Sequence, residues 1–225
     1  MTAGSWLKTG SSIGVDSPHR AIYNPLMSIS PEIHISPMVI KGQWDAGYAL
    51  DFHTVSSDFA GYDEFGHPQY DTKRTELGEL LYRLKYREDQ SVIEGIVRTV
   101  ANFVRFRINW PIEVIVPVPP SNKRKVQPVI VLADKLARIS GVEYCPNGLT
   151  KIKNTPQLKN VYDPIERRKL LAGVFQADPS KIRGKKVLLF DDLFRSGATM
   201  NEVSSLLKTS GEASHVYVLA VTRTR

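Results

Sequence analysis

Two stretches of almost unbroken apolar residues dominate the chain, Val187-Leu188-Leu189-Phe190 and Val114-Ile115-Val116. Such runs predict strands buried on both faces. Between and around them the apolar positions recur at helical spacing. Thr75 to Tyr86 carries Leu77, Leu80, Leu81 and Leu84 on one stripe, and a second helix to about Phe106 carries Ile93, Ile96, Val97, Val100 and Val104. Ser91 and Glu94 have capping-box spacing at its start. Pro128 opens a third helix with Val129, Leu132, Ala133, Leu136 and Ile139 inward and Gly141 at its end. Asp163-Pro164-Ile165-Glu166 opens a short fourth helix, Gly173-Val174-Phe175 is strand material, and Ala198 to Lys208 forms a helix carrying Val203, Leu206 and Leu207. Val216 to Val221 is a last strand.

Strand, helix, strand, helix, strand from 112 to 221 predicts an α/β fold, a parallel twisted sheet with helices on both faces. The prolines at 117, 119 and 120 end the strand that starts at Ile112, at about Val116. Toward the N-terminus, Met38-Val39-Ile40 and Tyr48 to His53 predict a meander or hairpin, and Gly61 to Tyr70 a loop. Met1 to Ser36, rich in Ser, Gly and Pro, is expected to be an extended arm. Residues 1–74 are therefore assigned as an N-terminal extension and hood, and 75–225 as the core. Leu149 to Val161 holds Lys151, Lys153 and Lys159 without a clear period and is expected to be a mobile loop.

The chain has 225 residues and a net charge of +7. That charge is concentrated: residues 121–186 hold 15 Lys and Arg against 5 Asp and Glu, leaving 15 against 18 elsewhere. A basic band of this density suits a polyanionic small ligand or nucleic acid. Cys145 is the sole cysteine, which removes internal disulfides and multi-cysteine zinc sites and fits a reducing, cytoplasmic setting. No apolar run approaches the ~20 residues of a membrane span, and the first residues do not read as a secretory signal. The histidines at 34, 53, 67 and 215 are too scattered to suggest a metal site.

Candidate chemistry gathers where the apolar run 187–190 ends. Asp191 and Asp192 follow it, then Leu193-Phe194-Arg195-Ser196-Gly197-Ala198-Thr199 leads into a helix. Free amides at a helix N-terminus, its dipole, and the hydroxyls of Ser196 and Thr199 make a phosphate cradle. Gly197 lets the main chain come close to the anion. Two carboxylates beside a phosphate need other partners, and ribose hydroxyls or a hydrated Mg²⁺ supply them. The pattern suggests a ribose 5-phosphate. The polar loop Ser121-Asn122-Lys123-Arg124-Lys125 falls at the same sheet edge, where open α/β sheets bind ligands, and offers cations for a diphosphate.

The run from Val187 to Thr199 resembles the diphosphate-sugar signature of the type I phosphoribosyltransferases, which use phosphoribosyl pyrophosphate (PRPP). Arg195 stands where such loops usually carry a small hydroxyl residue. Ile115 to Pro119, the basic loop, Thr155-Pro156-Gln157, Arg167-Arg168, Gly173-Val174-Phe175 and the acid pair follow the order of the ComF-type phosphoribosyltransferases, and Leu80 to Tyr86 resembles their helix before the first core strand. The likeness covers about 75–225; the family's N-terminal cysteine zinc module is missing.

The resemblance implies a Mg²⁺-dependent transferase. It puts the 5-phosphate on Arg195, Ser196, Gly197, Ala198 and Thr199, and the ribose hydroxyls and metal on Asp191 and Asp192. The diphosphate falls on Lys123, Arg124 and Lys125, with Lys151 or Lys153 closing over the leaving group. The alternative is a non-catalytic PRPP sensor or nucleic-acid-binding protein using the band 121–186. No membrane partner is expected, and a homo-oligomer is compatible with the sequence. No motif names the acceptor.

Overall fold

The computed structural model describes residues 33–122, 124–154, 161 and 163–225. Lys123, the Thr155-Pro156-Gln157 run with Lys159, and the expected arm up to Glu32 lie outside the described residues.

A six-stranded sheet forms the centre. In chain order its strands are β1 (Met38–Val39), β2 (Ala46–Phe52), β5 (Val114–Pro117), β6 (Glu143–Tyr144), β9 (Lys186–Phe194) and β10 (His215–Arg223). Their order across the sheet is β1-β2-β10-β9-β5-β6. Only β1 runs antiparallel; every other neighbouring pair is parallel. Thus β1 and β2, from within residues 1–74, belong to the central sheet. The apolar run in β9 is fully buried, and its alternate residues feed two cores. Val187 and Leu189 pack with Val203 and Leu207 of α6 (Ala198–Thr209), Leu171 of α4 (Pro164–Leu171) and Ile182 of α5 (Pro179–Ile182). Leu188 and Phe190 pack with Leu77, Leu81 and Leu84 of α1 (Glu76–Tyr86), Val97 of α2 (Ile93–Phe103) and Leu132 of α3 (Pro128–Ser140). Helices therefore cover both faces, as the continuous apolar run requires.

Several local expectations need correction. The stretch expected to be a loop at Gly61 to Tyr70 is the end of a hairpin, β3 (Thr54–Tyr62) with β4 (Pro68–Arg74). Both faces of it meet water, so no buried alternation marks it. The helix expected to be capped by Ser91 is preceded instead by a 3₁₀ turn, Gln90–Val92, whose cap is Asp89; its carboxylate accepts from the Ser91 N–H at 3.0 Å and the Ser91 hydroxyl at 2.5 Å. Glu94 pairs with Lys135 rather than closing a capping box. Ile139 is exposed on α3. The expected loop at Leu149 begins as β7 (Leu149–Lys151), which pairs with β8 (Phe175–Ala177).

Two features set the site. The chain leaves β5 outward to β6, then doubles back to β9 on the other side of β5, so the order reverses between β5 and β9. Their carboxyl ends border the crevice where open α/β sheets take ligands. In addition, β9 outruns β5. The last contact on that side is the Val118 N–H donating to the Phe190 carbonyl at 2.9 Å. Pro119 and Pro120 have no N–H to continue the ladder. From Asp191 onward β9 has a free edge toward the crevice and remains paired to β10 on the other.

Candidate functional site

A cavity of about 810 Å³ occupies this crevice. Asp191 and Asp192 line it from β9, and Arg195, Ser196, Gly197, Ala198 and Thr199 line it from the turn into α6. Ser121, Asn122 and Arg124 line it from the loop after β5, Lys151 from β7, Arg167 from α4, and Lys85 and Tyr86 from the last turn of α1. Lys125 instead borders a side cavity and pairs with Glu88 at 3.3 Å. Lys153 is exposed and is not among the lining residues.

The turn into α6 is built for a close approach. Gly197 is the N-cap, with φ +76, a left-handed conformation that glycine adopts without steric cost. A Cβ there would lie 2.9 Å from the Phe194 ring. The amides of the first turn of α6 have no partner inside the helix, and Ser196 to Thr199 all line the cavity.

The two acids differ. Alternation along β9 sends Asp192 to the face of Leu188 and Phe190, toward α1, and Asp191 to the face of Val187 and Leu189, toward α6. Lys85 Nζ donates to Asp192 Oδ2 at 3.0 Å and Oδ1 at 3.2 Å, an ion pair with only 16% and 13% of its side chains exposed. Asp191 also lines the cavity, from the α6 side of the strand. Burial, then the neighbouring Asp192 charge, push its carboxyl up to about 8, while the Asp192 amide it accepts from at 2.8 Å works against that rise. The Lys85 ammonium thus neutralises Asp192, while the Asp191 carboxyl is pushed toward its protonated form.

Sequence reasoning missed Lys85, although a signal was present. The buried stripe of α1 reads Leu77, Gly78, Leu81, Leu84, and Lys85 continues it four residues after Leu81. A cation on an apolar stripe needs an acid to meet it. Gly78 makes the meeting possible: a Cβ there would sit 2.1 Å from the His53 carbonyl oxygen, so only glycine lets α1 lie this close to the end of β2. Thr75 fixes the helix start, accepting from the Gly78 N–H at 3.0 Å and donating to the Phe52 carbonyl at 2.7 Å. Arg124 docks on the far end, its guanidinium donating to the Lys85 carbonyl at 3.3 Å and lying over the Tyr86 ring. Arg167 is held by donating to the Val161 carbonyl.

His53 sits behind this wall with Nδ1 3.1 Å from the Thr222 hydroxyl. Burial, then the cations Arg74 and Lys85, with Arg195 adding a smaller share, lower its pKa to about 4 against an opposing pull from Asp192. A histidine held neutral in the folded state contributes stability that is whole above the unfolded value of about 6.5 and declines as pH falls toward 4. Urea unfolding should therefore show a steeper loss of stability between pH 6.5 and 4 for the wild type than for His53→Gln, which cannot titrate. Equal slopes would remove His53 from the acid response.

The donor set does not form a protein-only metal cage. No cluster of three or more His, Cys, Asp or Glu suited to a metal ion occurs among the described residues, and the two adjacent acids leave opposite faces of β9. Mg²⁺ needs only one or two carboxylates when substrate phosphates and water complete its shell. The residues present fit a Mg²⁺ that arrives with a phosphorylated ligand.

No family model matches the chain, and no curated protein matches it. Among solved structures it is similar to an allosteric regulatory enzyme of purine biosynthesis (19% identity, 57% of this chain and 26% of that one, TM-score 0.41). It is also similar to the glutamine PRPP amidotransferase of B. subtilis (18%, 70% and 34%, TM-score 0.44). A third is the adenine phosphoribosyltransferase of Trypanosoma brucei (15%, 83% and 74%, TM-score 0.43). The matches span about a quarter and a third of the first two chains. No helix among the described residues is long and apolar enough to cross a membrane.

Proposed function

We propose that the protein binds PRPP and transfers its 5-phosphoribosyl group to an acceptor, releasing diphosphate. The observation that carries this reading is the convergence, at the point where strand order reverses, of an anion cradle, two carboxylates and a cationic rim around one cavity. Ser196, Thr199 and the amides of Gly197 to Thr199 hold the 5-phosphate. Asp191 and Asp192 accept from the ribose hydroxyls. Arg124, Lys151 and Arg167 face the diphosphate. When bound with the ligand, Mg²⁺ supplies charge neutralisation for the leaving diphosphate.

In the reaction the bond from C1 of the ribose to the diphosphate oxygen breaks and its electron pair leaves with that oxygen. A lone pair of the acceptor forms the new bond to C1. The sugar is cationic in between, and carboxylates beside it act where charge develops. Ribose hydroxyls donating to Asp191 favour its ionised form and offset the cost of its burial. Asp192 is shared with Lys85, whose ammonium also keeps the ribose end of the cavity from repelling an anion.

One observation favours a second reading, a PRPP sensor without turnover: Asp192 is already engaged by the Lys85 ammonium. The basic balance of 121–186 extends that reading to nucleic acid, whose binding would weaken steeply with salt. Calorimetry with PRPP and Mg²⁺, followed by diphosphate release across candidate acceptors, separates the readings. Binding with release supports the transferase, binding without release across the panel supports the sensor, and the absence of binding at PRPP concentrations up to about 1 mM sinks both.

A further inference from the structure

Strand order divides the cavity wall. β9 carries the two acids, with β5 on one side of it and β10 on the other. Arg124 reaches the cavity from the loop after β5. On the β10 side the lining residues are Thr224 and Arg225, which follow that strand, and Arg195 in the turn. Thr224 is fixed there, its N–H donating to the Phe194 carbonyl at 3.0 Å. The Arg225 guanidinium is held at the root of the β3–β4 hairpin. Its Nε donates to the Thr54 carbonyl at 3.3 Å, and the group lies 4.5 Å from the centroid of the Phe52 ring. Arg195 acts on the same region: after burial, Arg74 and Lys85, it is a further cause of the low pKa of His53.

PRPP leaves these two arginines without a task. Its 5-phosphate takes Ser196, Thr199 and the amides beside them, and its diphosphate takes Arg124, Lys151 and Arg167. The neighbouring cations are matched: Lys85 by Asp192, Arg74 by Glu79 at 3.4 Å and Lys125 by Glu88. Among the described residues no acidic side chain lies within ion-pair distance of Arg195 or Arg225. A guanidinium without a counter-charge presents a planar fork of donors that matches an oxyanion.

Building on the transferase reading, we propose that Arg195 and Arg225 receive a carboxylate of the acceptor, so that the acceptor is a nucleophile with an acid group close to its attacking atom. Displacement at C1 requires the incoming lone pair to be aligned opposite the breaking bond. The diphosphate leaves toward the loop after β5, so the acceptor enters from the β10 side, where the two arginines line the wall. The carboxylate takes no part in bond making; it orients the nucleophile. The local charges permit an anion there. Asp192 is already matched by Lys85. Asp191 remains on the wall, and its repulsion favours a singly charged carboxylate over a doubly charged phosphate. Space also permits it, since the cavity of about 810 Å³ is large within the roughly 300–1,000 Å³ range of small-molecule sites.

The test uses the full chain with saturating PRPP and Mg²⁺, once calorimetry has shown that PRPP binds. Matched pairs serve as acceptors: nicotinate against nicotinamide, orotate against uracil, and anthranilate against aniline. Initial rates of diphosphate release give kcat/KM, and calorimetric titration of the PRPP-loaded protein gives Kd for a pair that does not react. At least one acid should exceed its neutral counterpart by about tenfold or more. Arg225→Gln should erase that preference by weakening the acid about tenfold, with the Kd of PRPP held within about twofold. Arg225→Lys should keep part of it, because the charge remains and the fork does not. Arg195→Gln should also lower the preference. The proposal is overturned if all three neutral members match their acids, if no acid binds at about 10 mM, or if the preference survives both Gln variants. Each of those results leaves PRPP binding intact, whereas failure of PRPP itself to bind sinks the transferase reading and this proposal with it.

Discussion

Replacing both acids, Asp191→Asn with Asp192→Asn, should abolish phosphoribosyl transfer, with PRPP affinity falling by about three orders of magnitude. Each carboxylate lost removes a charge-assisted hydrogen bond worth roughly 1.5–3 kcal/mol, and stabilisation of the cationic sugar is lost with them. The two single variants should differ in stability. Asp192→Asn leaves Lys85 without its counter-charge. Breaking a buried pair costs roughly 3–5 kcal/mol; here the cavity admits solvent, so about 1–2 kcal/mol is expected. Asp191→Asn should do the reverse. Its carboxyl ionises near pH 4 in the unfolded chain and only near 8 in the folded one. Ionisation thus favours the unfolded wild type progressively across that window. The stability gain of Asp191→Asn should be absent below about pH 4, grow with pH and level off above about 8. Denaturant unfolding at several pH values with parallel calorimetry checks both. If both single variants bind PRPP like the wild type, the acids are not the ribose site.

This contrast between adjacent acids shows where sequence reading runs out. The run Val187 to Phe190 announces a strand buried on both faces, and the acids after it announce a ligand. Yet β9 continues through both acids to Phe194, because β10 keeps pairing with it while the prolines stop β5. Continuation of the strand puts the carboxylates on opposite faces, and only tertiary packing decides what each face meets. Lys85 lies 107 residues from Asp192 in the chain. A cation on the stripe of α1 is legible; its partner is not. The parallel pairing of β2 with β10 is equally non-local, so Tyr48 to His53 reads as a strand without revealing which sheet it joins. The hairpin escapes because its pattern answers to no core of its own chain. The spacing of Ser91 and Glu94 points to Ser91 as the cap, but the chain turns one step earlier and Asp89 caps the 3₁₀ turn instead.

The cradle itself should be the least tolerant part of the site. Gly197→Ala is expected to lower stability by about 2–3 kcal/mol and PRPP affinity by more than tenfold. A left-handed conformation costs a side chain about 1–2 kcal/mol. At Gly197 the new methyl also meets the Phe194 ring at 2.9 Å. That ring is held edge-on against Trp44, 6.3 Å between centroids, with the Arg223 guanidinium 5.7 Å from its centroid, so it cannot yield without disturbing the core under α6. Gly141 provides the comparison. It ends α3 with φ +65 and has nothing near its Cβ position. Gly141→Ala therefore pays the conformational cost alone and should bind PRPP normally. The difference between the two variants measures the contact with Phe194, and the difference in affinity measures how closely an anion must approach the turn. Equal losses of stability would show that the ring moves freely. Unchanged affinity in a folded Gly197→Ala protein would show that the phosphate is held elsewhere on the cavity wall.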